Sequence, residues 1–241
     1  MDEKRFDRVE KKYLISEAQK AEILKSVLEN MKKDGYHRSG VYNLYFDTKN
    51  YDMIIRSIER PKFKEKLRAR SYKGYDKVFL EIKTKIKGPE YNVGYKRRVL
   101  ITREDFEKLV SGEATVVELA REKIETPADL QVAKEVDYLI SKFALKPKIM
   151  VYYDRESYVG ENGLRITFDE NLAYRDKKLS FEEKEQNEKY FNGEEKKIIM
   201  EIKAHGVMPL WLVKSLSAAK AYPQQFSKIG KVYEKLNRKE K

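Results

Sequence analysis

The sequence predicts an α+β fold: an antiparallel sheet of about eight strands, a number that can close into a barrel, with helices packed on its outer, apolar face. Three observations carry this expectation. Short runs rich in Val, Ile, Tyr and Phe recur with period-two alternation, the mark of strands. Several are joined by tight Gly-containing turns, which suits antiparallel pairing. Between and after them lie segments whose apolar residues recur three or four apart, so each of these helices has one stripe to bury.

Taken in order, residues 5–15, "RFDRVEKKYLI", read as a strand with Val9, Lys11, Tyr13 and Ile15 on one side and Glu10 and Lys12 on the other. Ser16 with Gln19 forms a capping box, and Leu24, Val27, Leu28 and Met31 give the following helix its stripe. Residues 41–47, "VYNLYFD", make a second strand, preceded by the loop-like "DGYHRSG". Tyr51, Ile54, Ile55 and Ile58 mark a short helix. "KLRARSY" (66–72), a turn at Gly74, "KVFLEIKTK" (77–85), the loop "KGPE" (87–90) and "YKRRVLI" (95–101) read as a meander. A helical stretch spans about 103–144, with Thr126 and Pro127 starting its last helix and Val132, Val136, Leu139, Ile140 and Phe143 as its stripe. Strands resume at 148–158 and 164–172, turning at "GENG". Residues 174–197 are mostly charged and read as an exposed excursion; 198–204, "IIMEIKA", is the last strand. Two helices close the chain, one starting near Pro209 and holding Trp211, the other carrying Phe226, Ile229, Val232, Tyr233 and Leu236. No Gly/Ser/Pro-rich linker divides the 241 residues, so a single domain over 1–241 is expected.

Composition bounds the function. Lys and Arg number 52 against 40 Asp and Glu, a net charge of +12, which suggests an anionic partner. With 41% hydrophobic and 12% aromatic residues the chain can build a core. It has no cysteine, which excludes disulfides, thiolate metal sites and thiol nucleophiles. No apolar stretch reaches transmembrane length and the N-terminus is charged from the start, so a cytoplasmic protein is expected.

The strand faces opposite the apolar ones collect the charges: Glu10 and Lys12; Arg68 and Arg70; Glu81, Lys83 and Lys85; Lys96 and Arg98; Arg155; Arg165, Thr167 and Asp169; Glu201 and Lys203. Two readings are open. Antiparallel sheets often leave one face in water. Against that, this face is basic and rich in Arg, which suits bidentate phosphate contacts, and its carboxylates are few and interspersed. A barrel lumen lined this way repels itself unless it holds a polyanion and its metal.

The segments "YFDT", "LRARSY", "LEIKTK", "YYDRESY", "LRITFD", "MEIKA" and "FSK" are each weak, but in this order and spacing they are specific. From "RVEKKYLI" to "QQFSKIGKVY" the chain resembles the triphosphate tunnel metalloenzymes, also called CYTH-like, and within them the polyphosphate polymerase domain of vacuolar transporter chaperone (VTC) complexes in its stand-alone bacterial form. The resemblance implies an eight-stranded antiparallel barrel whose basic tunnel binds ATP, triphosphate or polyphosphate. By motif match it implies Lys12, Arg68, Arg70, Lys83, Lys96, Arg98, Arg155 and Arg165 as phosphate ligands, with Tyr153, Ser227 and Lys228 also on the chain; Lys85 and Lys203 share their faces and join the substrate-binding set. Glu201 would hold Mn²⁺ or Mg²⁺, with Glu10 and Glu81 helping through water. Gln225 stands where catalytic eukaryotic subunits carry Lys. The implied activity is transfer of the ATP γ-phosphate to a growing polyphosphate chain; the alternatives are a triphosphatase of the same fold and a catalytically silent polyphosphate binder. The resemblance leaves room for a membrane partner that receives the product.

A nucleic-acid-binding module is the rival from another class. No RNA-recognition, helix-turn-helix or zinc signature supports it, and the Glu residues sharing the basic faces would repel a nucleic-acid backbone, so no nucleic acid is expected. His37 and His205, the two histidines, read as structural, and Trp211 as helix core.

Overall fold

The computed structural model describes residues 8–59, 61–88, 92–181, 189–190 and 197–237. Element order is β1 (Arg8–Ile15), α1 (Glu17–Asn30), β2 (Lys32–Asp47), α2 (Asp52–Glu59), β3 (Phe63–Tyr72), β4 (Val78–Lys87), β5 (Asn92–Ile101), α3 (Arg103–Ser111), α4 (Val116–Leu119), α5 (Pro127–Phe143), β6 (Lys146–Val159), β7 (Arg165–Arg175), β8 (Lys189–Tyr190), β9 (Ile198–His205), α6 (Leu210–Ala218) and α7 (Lys228–Asn237). Eight strands pair in the order β1-β9-β7-β6-β2-β3-β4-β5, with the two-residue β8 beside β7, and β1–β9, β7–β9, β2–β3, β3–β4 and β4–β5 are antiparallel pairs. The α+β class and the strand number are as expected. The expected barrel is not closed, because no pairing joins β1 to β5 among the described residues. The side of β1 away from β9 is already engaged: Tyr13 bridges Pro223, and Gln224 N donates to Lys12 O at 2.7 Å. Backbone groups satisfied in this way cannot also serve a neighbouring strand. Residues 5–7 of the first expected strand lie outside the described residues.

The chain divides into two compact units. The first comprises Met1–Gly40, Tyr153–Leu172 and Tyr190–Ser227. Its core joins Tyr13 and Ile15 of β1, Ile23 and Val27 of α1, Ile166 and Phe168 of β7, Ile198, Met200 and Ile202 of β9, and Leu212 and Leu216 of α6. Ser16 and Gln19 form the expected capping box, and the Gln19 amide also donates to Ala219 O at 2.9 Å, tying the start of α1 to the end of α6. The buried stripe of α1 runs through Ile23 and Val27, whereas Leu28 is exposed. One residue advances a helix by about 100°, so Leu28 falls off the face that Ile23 and Val27 define.

The loop-like "DGYHRSG" is strand. β2 begins at Lys32, because neither Gly35 nor Gly40 uses the positive φ that would have turned the chain. His37 lies within it, with Nδ1 3.1 Å from Ser157 O and its ring edge-on to Tyr158, contacts in keeping with a structural histidine.

The second unit comprises Val41–Tyr152, Ala173–Lys189 and Lys228–Lys241. The β3–β4–β5 meander turns at Gly74, whose φ of 80° is the left-handed conformation glycine adopts most easily. Leu67, Ala69, Leu80, Ile82 and Val99 supply its apolar side and pack with Phe106, Val136 and Leu139. The expected helical stretch is three α-helices, each opened by a Thr with an acidic residue three positions on: Thr102 with Asp105, Thr115 with Glu118, Thr126 with Asp129. Asp47, fully buried at the end of β2, accepts from Thr48 N, Met53 N and Ile54 N at 2.8–2.9 Å and so anchors the start of α2. Tyr174 and Arg175 extend β7 and are buried, as is Phe181, so the exposed excursion expected from 174 does not begin there; 182–188 and 191–196 lie outside the described residues. No helix among the described residues is long and apolar enough to cross a membrane.

Candidate anion-binding site

In the second unit, period-two alternation sends Leu67, Ala69, Leu80 and Ile82 to the core and turns the intervening residues to the other side. The register then sets them in rows. Tyr45, Arg68, Glu81 and Arg98 are successive partners across β2, β3, β4 and β5, and so are Lys66, Lys83 and Lys96 across β3, β4 and β5. Lys64 is opposite Lys85. On the β3–β5 part of this face Glu81 is the one carboxylate among the described residues. It is 1% exposed and ringed by cations: Arg68 Nη2 at 2.6 Å, Arg68 Nε at 2.8 Å, Lys96 Nζ at 2.6 Å and Arg70 Nε at 4.0 Å. Burial would raise the Glu81 pKa, but Arg68, Arg70 and Lys96 outweigh it and bring it down to about 2. That setting favours an internal counter-ion over a metal ligand. Arg70 is aimed by Asn43, whose Oδ1 accepts from Nε at 2.8 Å, and the Arg98 guanidinium lies 4.7 Å over the Phe79 ring. Lys83 and Lys85 are exposed, as are Lys96 and Arg98. Lys228 is the first residue of α7.

Directly opposed lysines repel. The row of three, beside a row holding two arginines, concentrates positive charge on one face. It is well suited to an anion with several charges.

In the first unit the pattern is different. Across β1 and β9, Glu10 is opposite Lys203 and Lys12 opposite Glu201; across β7 and β9, Arg165 is opposite Lys203 and Thr167 opposite Glu201. Lys203 Nζ lies 2.7 Å from Glu201 Oε1, and Lys12 Nζ lies 3.5 Å from Glu10 Oε1. Lys12 also donates to Phe226 O at 3.3 Å, which brings the "FSK" segment, with exposed Ser227, beside β1. Arg155 grips Asp169 with two donors, Nε at 2.6 Å and Nη2 at 2.8 Å. Burial opposes its charge, yet Tyr153, Asp169 and Glu201 keep Arg155 protonated. Tyr153, read as a tunnel residue, is 2% exposed; its ring lies under the Arg155 guanidinium at 5.2 Å, so it supports that arginine from within the fold. Arg165 Nη2 bonds Asp34 Oδ2 at 2.7 Å.

The sequence-predicted residues therefore gather into two groups. Glu10, Lys12, Tyr153, Arg155, Arg165, Glu201, Lys203 and Ser227 belong to the first unit; Arg68, Arg70, Glu81, Lys83, Lys85, Lys96, Arg98 and Lys228 belong to the second. Sequence reading missed Asn43 and Asp34 as partners of the arginines. Asn43 alternates in phase with Tyr45 and Asp47, so the period-two rule had the signal. Asp34 lay in the segment misread as loop.

Among the described residues no three His, Asp or Glu side chains come together as a metal cage. Glu201, 9% exposed, is a carboxylate set among Lys12, Lys203 and Arg155, and Thr167 opposite it has a buried hydroxyl with no hydrogen-bond partner among the described residues. Mg²⁺ and its analogues are commonly held by one or two carboxylates, with waters and phosphate oxygens completing the shell. The donors present fit a cation that arrives with a phosphate ligand, and do not form a cage on their own.

The VTC domain family model matches residues 7–237. Among solved structures, the chain is similar to a Hippeastrum protein named for adenylyl cyclase and stated to have a dominant triphosphatase activity, with a TM-score of 0.53, 15% identity and 92% of each chain covered. It is also similar to the PH1819 protein of Pyrococcus horikoshii OT3, with a TM-score of 0.48, 16% identity and coverage of 95% of this chain and 99% of that one. A third, from Vibrio parahaemolyticus and named for adenylate cyclase, has a TM-score of 0.48 and 10% identity, with 94% and 97% covered. A search of curated proteins gives no match.

Proposed function

Because the chain belongs to the VTC domain family, we propose that it is a metal-dependent polyphosphate polymerase that moves the γ-phosphoryl group of ATP onto the end of a polyphosphate chain. The observation that supports this reading is the Lys66–Lys83–Lys96 row beside Arg68, Arg70 and Arg98, a concentration of cations on one sheet face that suits a polyanion.

Phosphoryl transfer asks a protein mainly to position reactants and neutralise charge. Lys12, Arg155, Arg165, Lys203 and Ser227 in the first unit, and Arg68, Arg70, Lys83, Lys85, Lys96, Arg98 and Lys228 in the second, would bind phosphate oxygens. Arg155, prepositioned by Asp169 and Tyr153, meets its ligand with little loss of side-chain freedom. In the reaction a terminal oxygen of polyphosphate forms a bond to the γ-phosphorus, the bond from that phosphorus to the β,γ-bridging oxygen breaks, and ADP leaves. The attacking oxygen is already ionised, so no side chain need act as a general base. A divalent cation, held by Glu201 with Glu10 nearby, would supply charge neutralisation on the phosphate oxygens.

Hydrolysis is the second reading, favoured by the dominant triphosphatase activity stated for the Hippeastrum protein of similar fold. The test is incubation of the purified protein with ATP and Mn²⁺. Polymer of growing length supports the polymerase. Orthophosphate alone supports the triphosphatase. Tight polyphosphate binding without turnover supports a silent binder. Binding of nucleic acid in place of polyphosphate overturns the reading.

A further inference from the structure

Two donors on β7, Arg165 Nε and Thr167 Oγ1, are buried without a hydrogen-bond partner among the described residues. They are two positions apart on one strand, so they share a face, and both are in register with the ionic pair on β9: Arg165 opposite Lys203, Thr167 opposite Glu201. Burying a hydroxyl without a partner is costly, and native proteins rarely keep such a group without a reason. Thr167 is not filling a hole for which only Thr suits, since valine has the same shape and is favoured in strands.

The residue opposite this hydroxyl, Glu201, is engaged in an ionic pair along its own strand. Glu201 Oε1 is taken by Lys203 Nζ at 2.7 Å. A phosphate ligand competes for that ammonium, and as Lys203 turns to it Glu201 loses a partner in a buried setting. Side chains directly opposed across antiparallel strands have their Cβ atoms about 5 Å apart, within reach of a Thr hydroxyl and a Glu carboxylate. We propose that Thr167 is a positioning residue for Glu201: its hydroxyl donates to the Glu201 carboxylate once a phosphate ligand has drawn Lys203 away, and holds that carboxylate where the ligand and its cation need it. The empty protein keeps the donor in reserve; the loaded protein uses it.

This inference rests on the proposed phosphate-binding function, and one set of measurements separates the two. The probe is tripolyphosphate, with and without Mn²⁺, titrated calorimetrically into wild type, Thr167→Val, Thr167→Ser, Glu201→Gln and the Thr167→Val/Glu201→Gln double variant, with a melting temperature for each ligand-free protein. Thr167→Val is expected to melt at or above the wild-type temperature, since it removes a hydroxyl with no partner in the empty fold, and to bind tripolyphosphate about tenfold more weakly. Thr167→Ser should restore affinity. In the Glu201→Gln background Thr167→Val should cost clearly less than it does alone, because the hydroxyl acts through the carboxylate. Wild-type affinity in Thr167→Val, a lower melting temperature for that ligand-free variant, or an undiminished loss in the Glu201→Gln background would each overturn the role of Thr167 while leaving the functional reading intact. Failure of the wild type to bind tripolyphosphate would overturn that reading, and this inference with it.

Discussion

Arg68 and Glu81 face each other across the β3–β4 pair with Nη2 and Oε2 2.6 Å apart, and Lys96 closes on the other carboxylate oxygen at the same distance. The three groups form a compact cluster centred on a buried carboxylate, on a sheet face otherwise lined by lysines and arginines.

The first prediction concerns acid. Glu81 is held at about 2, below its ordinary 4.5. A carboxylate with a lowered folded-state pKa contributes stability that is complete above its unfolded value and lost as pH falls through the folded one. Glu81 should contribute about 3 kcal/mol at neutral pH, lost between pH about 4.5 and about 2. Chemical denaturation at a series of pH values checks this: in Glu81→Gln the fall in stability across that window should be shallower than in wild type by about this amount.

Glu81→Gln should also lower neutral-pH stability by about 2–3 kcal/mol, because Arg68, Arg70 and Lys96 lose their shared negative charge. An added polyanion can take its place. Tripolyphosphate should therefore raise the melting temperature of the variant more than that of wild type, as measured by thermal unfolding with and without the ligand. An equal or smaller rise would show that these cations do not meet the ligand.

Arg155→Lys keeps the charge but loses the fork that Asp169 grips through two nitrogens. Turnover of ATP should fall tenfold or more, while melting shifts by no more than about 2 kcal/mol in stability. Steady-state rates with ATP and Mn²⁺ read this directly, and wild-type rates would remove Arg155 from the proposed machinery.

Glu201→Gln should abolish turnover by weakening cation binding while leaving the ligand-free protein folded. A Mn²⁺ titration in the presence of tripolyphosphate, set beside the activity assay, checks both halves. Normal turnover in this variant would mean that the cation is held elsewhere.

Asp47→Ala removes the acceptor for three backbone N–H groups at the start of α2. Stability should drop by about 2–3 kcal/mol, at the upper end for a lost cap because the site is fully buried. Tripolyphosphate affinity of the folded variant, measured well below its melting point, should stay within about twofold of wild type, since Asp47 faces backbone and no proposed ligand.

Strand and helix order were legible in the sequence wherever periodicity and punctuation agreed. The Ser16–Gln19 box, Thr126 with Pro127, and the turn at Gly74 appear as read. The N-terminal half of β2 was not legible, because "DGYHRSG" has loop composition and its extended form comes from a tertiary setting no local signal reports. The opposed faces of "VFLEIKTK" and "IIMEIKAH" followed from alternation alone, and Glu81 and Glu201 lie on the sides expected. Alternation is silent on register. It could not show that Lys66, Lys83 and Lys96 fall in one row while Lys12 meets Glu201, nor that Arg165 turns to Asp34. Those relations are set by the register between strands, and they separate a face dominated by cations from a balanced one. Barrel closure failed as an expectation for a similar reason. Strand number permits closure, but the engagement of β1 by Pro223 and Gln224 is a contact that no strand count contains.

The internal acceptors of these arginines have a consequence for how binding should respond to ionic strength. Arg68 is answered by Glu81, Arg155 by Asp169 and Arg165 by Asp34, so each of these pairs brings little net charge with which to displace the cations condensed along polyphosphate. The drop in affinity with added salt counts small ions set free. Its logarithmic slope should consequently track the exposed lysines and fall short of the total number of cationic side chains touching the polymer: a grip that relies on exchange of partners and weakens only gently as the medium becomes more saline.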